Sequence, residues 1–188
     1  GEGMDNRYPG QDDAMLLARL PGSYEPLFSE KGFWLFHKRH PIPTGPQEQL
    51  PVLERTVRIG EEVEIPQDTG QVLWLRAHAT PNTIGRVRGI LYRPAQLDLV
   101  VTDSAGAERS WRVVPRVAED GFILAPKLET GADMAALMQG RATSWPRSFH
   151  FDAPDGQAEF WSHIDLGVFR IPSLPVKTEN AGAGTPRG

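Results

Sequence analysis

The chain contains no cysteine, which excludes disulfides, zinc–thiolate sites and thiol catalysis and leaves the redox compartment open. Nowhere does an apolar run approach the roughly 18 residues needed to cross a bilayer as a helix. A dominant charge sign is also missing: 20 basic against 24 acidic residues leave a net charge of −4, so no global field points to nucleic acid or to an anionic membrane surface. The phosphate-cradling pattern G-x-x-x-x-G-K-[ST] is absent, and no G-x-G-x-x-G lies between a strand and a helix. The nucleophile elbow G-x-S-x-G is absent too, and Ser104, Ser144 and Ser148 have no recognisable local partner. Nucleotide hydrolysis and serine hydrolysis are therefore not expected.

What is present is punctuation. The 188 residues include 19 glycines and 17 prolines, about 19% against roughly 12% in ordinary usage. Hydrophobic residues at 39% and charged residues at 23% are otherwise unexceptional, so a packed core with many short strands and turns is expected. The chain begins at Gly1, with its first methionine at position 4, which suggests a processed or excised piece.

Along the chain, residues 1–40 read as a small helix–hairpin unit. Gln11 to Leu20 is expected as a helix: Asp12 and Asp13 sit at its positive end, Met15, Leu16, Leu17 and Leu20 form a stripe, and Pro21-Gly22 stops it. Tyr24 to Glu30 and Phe33 to Lys38 are β-rich runs joined by Lys31-Gly32, a hairpin too small to stand alone, which must dock on something else. Residues 41–51, with four prolines, read as a stiff linker. Residues 52–172 read as strand and turn, with strands at 54–59, 62–65, 71–79, 85–92, 96–102, 109–116, 122–127, 147–151, 157–161 and 164–171. One amphipathic helix interrupts them at 130–141, capped by Thr130 or Asp133. The expected fold class is mainly β: an antiparallel β-sandwich, jelly-roll-like, with one inserted helix. Residues 173–188, polar and Gly-rich, read as a disordered tail.

The site signals are sparse. Of the five histidines, His37 and His40 flank extended backbone before Pro41 and do not suit a shared metal. His150 and His163 are placed on strands that can be neighbours, each with an aspartate two residues on, Asp152 and Asp165, and so on its own face. Strand alternation on a solvated face produces the same pattern, and no metal or other cofactor is assigned. A carboxylate pair, as in a glycoside hydrolase, has Glu61, Glu62, Asp98, Asp103, Glu108, Asp152 and Glu159 to draw on, with nothing local to make two of them converge. Among the tryptophans, Trp74 reads as core, whereas Trp111, Trp145 and Trp161 lie beside turns or polar residues, where a flat ring can stack on a sugar. Arg86 and Arg88, read as sharing a strand face near Arg93, suit a phosphate or carboxylate, or a solvated edge.

Residues 5–39 carry a leucine-striped helix followed by a hairpin with Tyr24, Gly32, Phe33, Leu35, Phe36 and Arg39. Together with GILYRPAQLDLVVTD at 89–103 and GFILAPKLETGADMAALMQG at 121–140, this resembles the extracytoplasmic C-terminal soluble domain of bacterial polytopic membrane proteins, including glycosyltransferase-like ones that use lipid-linked sugars. The resemblance implies a location on the periplasmic side of a bacterial inner membrane and a sandwich architecture, and it transfers no catalytic residue. The membrane helices of such proteins have no counterpart in these residues, so attachment to a membrane would run through segments of a longer parent. On this reading the chain is an accessory domain recognising carbohydrate or a lipid-linked sugar, with no nucleic-acid partner. A free-standing carbohydrate-active sandwich enzyme and a protein-interaction module using a sheet edge are the alternatives.

Overall fold

The computed structural model describes residues 7, 8, 11, 14, 17, 20, 23–31, 33–38, 50–66, 72–139, 141, 145–154 and 156–171. Most of the helix expected at 11–20, most of the linker and all of the tail from 173 lie outside them; Ala14, Leu17 and Leu20, each three apart, are helical.

The hairpin strands β1 (Tyr24–Glu30) and β2 (Phe33–Lys38) form an antiparallel two-stranded sheet. Trp34 and Phe36 alternate toward the protein, and a β-carbon at Gly131 would meet the Trp34 ring at 3.0 Å. The hairpin is thus docked, as its small apolar surface requires.

Two four-stranded sheets follow. β3 (Leu50–Val57), β10 (Trp161–Ile171), β5 (Val72–Pro81) and β8 (Phe122–Ala125) pair in that order, with β10 central and antiparallel to both neighbours. β4 (Val63–Glu64), β9 (Pro146–Asp152), β6 (Leu97–Asp103) and β7 (Glu108–Val113) form the other. Leu73, Leu75, Ile164, Leu166 and Val168 from the first sheet join Leu97, Leu99, Val101, Phe149 and Phe151 from the second in one buried cluster. The protein is mainly β, with antiparallel sheets on either side of this core. Strand alternation explains which residues enter it: in β10 every second side chain from Ile164 to Val168 points inward, while Asp165 points out.

The segment before the hairpin shares this core. Tyr8 is buried, donates its hydroxyl hydrogen to the Leu124 carbonyl at 3.1 Å and packs against the rings of Trp111 and Phe122. Gln11 accepts from the Val114 N–H at 3.3 Å.

Two expected strands change identity and a third is cut short. Residues 85–92 lie not in a strand but largely in helix α1 (Thr83–Leu91), whose N-cap Asn82 accepts from the Gly85 N–H at 2.9 Å. Gly85 lets the helix press on the Phe160 backbone, where any β-carbon would collide, so tertiary packing overrides the local β preference. The strand expected at 109–116 ends at Val113, because Pro115 opens the short helix α2 (Pro115–Asp120). Residues 158–160 form a single 3₁₀ turn, and Trp161 begins β10. The inserted helix α3 (Gly131–Met138) forms as expected, with Thr130 and Asp133 in a reciprocal capping box. The expectation of a single helix in residues 52–172 is therefore corrected to three α-helices among the described residues.

Candidate functional site

The outer face of the β3-β10-β5-β8 sheet carries an open trough of about 480 Å³. Its floor follows from register. Asp165 on the central strand lies between Thr56 and His78, and one pleat further on Gly167 lies between Glu54 and Arg76. These residues alternate with inward-facing Leu75, Ala77, Leu166 and Val168, so the core residues fix the outward set.

One wall is α2. It packs across β5 over Trp74, which faces outward by strand parity yet is only 1% exposed beneath the helix and Gly121. Gly121 has φ +91° and ψ 167°, a backbone open almost only to glycine, and a side chain there would run into the Trp74 indole. From this wall Glu119 reaches the His78 ring, Oε1 to Nδ1 3.2 Å.

The end of the trough is made by Phe169. Its ring lies across Gly167, so close that a β-carbon on the glycine would sit 2.7 Å from a ring carbon. The Arg76 guanidinium stands 5.3 Å from the ring centroid, in cation–π range. At the other end the Thr56 hydroxyl donates to Asp165 Oδ1 at 2.5 Å, and His163 Nε2 lies 3.5 Å from Asp165 Oδ2. The trough therefore combines three carboxylates, the His78 imidazole, the Arg76 guanidinium, a hydroxyl and one aromatic ring on a shallow, open surface, with His163 just beyond its lining. Such a surface suits a ligand with several hydroxyls: carboxylates accept from them, Arg76 donates to them, and the ring offers an apolar patch for C–H groups.

The residues singled out from the sequence fall elsewhere, with one near miss. Trp111 is 8% exposed, with its ring against Tyr8 and Lys127 Nζ 5.5 Å from its centroid, which leaves no face for a sugar. Trp145 and Trp161 are half-buried against the core, and Trp161 donates its indole N–H to the Gln96 carbonyl at 3.3 Å. Arg86 and Arg88 share no strand face, since they lie two apart on helix α1, where such positions diverge by about 200°. His150 is on β9 and His163 on β10, in different sheets, so the expected neighbouring strands are not neighbours. Among the described residues no group of three histidine or carboxylate side chains is placed to hold a metal.

The acids weighed as a catalytic pair do not line the trough either. Glu61 is held by Arg55 and by the Arg58 N–H, Glu62 accepts from Ser148, and Asp98 accepts from Gln96. The acids that gather are Glu54, Glu119 and Asp165. Only Asp165 carried a sequence signal, through its spacing from His163. A glycine at the centre of an apolar strand, Gly167, is the further local sign that something approaches the backbone there.

Comparison with protein-family models, with curated proteins and with solved structures finds no match. Within the described residues no helix is long and apolar enough to cross a membrane.

Proposed function

We propose that this chain is a non-catalytic binding domain on the extracytoplasmic, periplasmic side of a bacterial membrane protein, and that its sheet-face trough recognises carbohydrate, either free or as the head of a lipid-linked sugar. The observation that carries the reading is the trough itself: Glu54, Thr56, Arg76, His78 and Asp165 around Gly167 and the Phe169 ring. Its floor is a sheet surface with a wall on one side, which favours reversible contact with hydroxyls over chemistry that must exclude water. The resemblance of residues 5–39, 89–103 and 121–140 to domains of polytopic membrane proteins supports the location.

Titration of the protein with a panel of oligosaccharides, followed by amide chemical shifts, tests the proposal. Shifts are expected at Thr56, Arg76, His78, Asp165 and Gly167, and they should vanish in Phe169→Ala and Arg76→Ala. A panel that leaves all of these amides unmoved overturns the carbohydrate reading.

A second reading has one specific support. Glu54 and Asp165 are diagonal neighbours across β3 and β10, with backbones about 7–8 Å apart, an arrangement open to a carboxylate-pair hydrolase. Turnover of aryl glycosides that is lost in Asp165→Asn and in Glu54→Gln would establish this enzyme reading in place of the binding one.

A further inference from the structure

Helix α1 presents its apolar side to solvent. Ile84, Val87, Ile90 and Leu91 are all more than half exposed, and Ile90 is 85% exposed. At 100° per residue these four positions fall within one stripe about 120° wide. A helix on a folded domain ordinarily buries such a stripe; here the opposite side is the buried one, with Gly85 pressed against the Phe160 backbone. Tyr92, 81% exposed, extends the patch beyond the last turn. Contiguous apolar exposure of this kind marks a docking surface.

The charges identify what docks. Arg86 and Arg88 border the stripe about 40° beyond Ile90 and Ile84 respectively, and Arg93 follows Tyr92; no acidic residue occurs from Thr83 to Gln96. The Arg88 guanidinium lies over the Phe160 ring at 4.5 Å, and Arg86 Nε donates to the Pro81 carbonyl at 3.3 Å, so both guanidinium groups are held beside the stripe with their terminal N–H groups left to meet an anion. The chain as a whole carries −4, so this basic rim is a local feature. Ionic screening over about 8 Å at physiological salt lets such a patch act independently of distant acids. An apolar helical face flanked by arginines, with an aromatic at its end, matches the interface of an anionic bilayer: the apolar side chains enter the headgroup–acyl boundary while guanidinium groups meet lipid phosphates.

We infer that α1, with Tyr92 and Arg93, rests on an anionic lipid surface and so orients the domain on the membrane directly. The inference is carried by the helix alone and is independent of what fills the trough. Its geometry does place the two together: His78 precedes Pro81, the last residue of β5 before Asn82 and α1, by three residues, about 10 Å of extended strand.

Sedimentation of the full chain with vesicles of phosphatidylcholine alone, or containing about a third phosphatidylglycerol, tests it. Binding to the anionic vesicles should exceed that to the neutral ones by at least about fivefold and weaken in high salt. Ile90→Asp with Leu91→Asp, both at exposed positions, should abolish it, and Arg86→Glu with Arg93→Glu should cut it at least about tenfold. The absence of native cysteine permits a single dye at Ile90→Cys and a control at Ser104→Cys, in the β6–β7 turn. A blue shift on anionic vesicles at position 90 alone is the expected result. Equal response at both positions, no sedimentation with anionic vesicles, or an apolar face covered instead by concentration-dependent self-association that Ile90→Asp abolishes would each overturn the inference.

Discussion

The Phe169 ring lies on Gly167, two residues earlier on the same face of β10, and the absence of a side chain at Gly167 is what lets it lie there. A β-carbon at 2.7 Å from the ring leaves the ring only one response, to swing away from the sheet. The swing separates the aromatic surface from Arg76 and alters the end of the trough.

Gly167→Ala should therefore change binding more than folding. Alanine recovers about 0.5–1 kcal/mol of backbone entropy in a strand, and the obstructing atoms belong to the movable end of a side chain. Urea unfolding should shift by no more than about 1 kcal/mol, while the ligand-induced shifts at Arg76 and Asp165 are lost.

Gly121→Ala is expected to do the opposite. Here the backbone lies in a region nearly closed to other residues, and the new methyl meets Trp74 and Arg76 in a packed wall. Strain and overpacking together should cost about 2–4 kcal/mol in urea unfolding. A loss below 1 kcal/mol would show that α2 is not held against Trp74 in this way.

Tyr8 ties the N-terminal segment to the core and sets an alkaline limit. Burial, with the nearby Glu129 carboxylate adding to it, raises the phenol well above its ordinary value near 10. A group raised on folding stabilises fully below its unfolded pKa and loses that contribution as pH climbs toward the folded one, so stability should fall above about pH 10. Tyr8→Phe should remove that slope and, through the lost bond to the Leu124 carbonyl, about 1 kcal/mol at neutral pH. Denaturant midpoints from pH 7 to 11 read both effects.

Asp103 governs the acid side locally. Its carboxylate accepts the N–H groups of Ala107 and Ala105 in the turn between β6 and β7, at 2.9 and 2.8 Å. Those bonds, the one from Ala107 foremost, hold the carboxyl below its usual range. A group lowered on folding stabilises above its unfolded pKa, so the turn should loosen as pH falls below about 4. Faster amide exchange at Ala105 and Ala107 in acid, with the same exchange at neutral pH in Asp103→Ala, is the expected signature.

Local signals in the sequence determined the β1–β2 hairpin, the Thr130–Asp133 box of α3 and the centres of most strands, because alternation, caps and turn residues act within a few positions. α1 was not legible in that way: TIGRVRGIL carries β-branched residues and arginines that suit a strand, and contact with Phe160, seventy-odd residues on, decided for the helix. The three tryptophans looked available because they stand beside turns, yet burial depends on what crosses over them, as Tyr8 does over Trp111. The trough depended on tertiary structure most of all. Glu54, Arg76, Glu119 and Asp165 come from four separate elements, and only the register of β3 and β5 against β10, with α2 packed alongside, makes them neighbours. That register is set by burying the inward side chains of each strand, a condition on pairs of distant segments that no single stretch of sequence expresses.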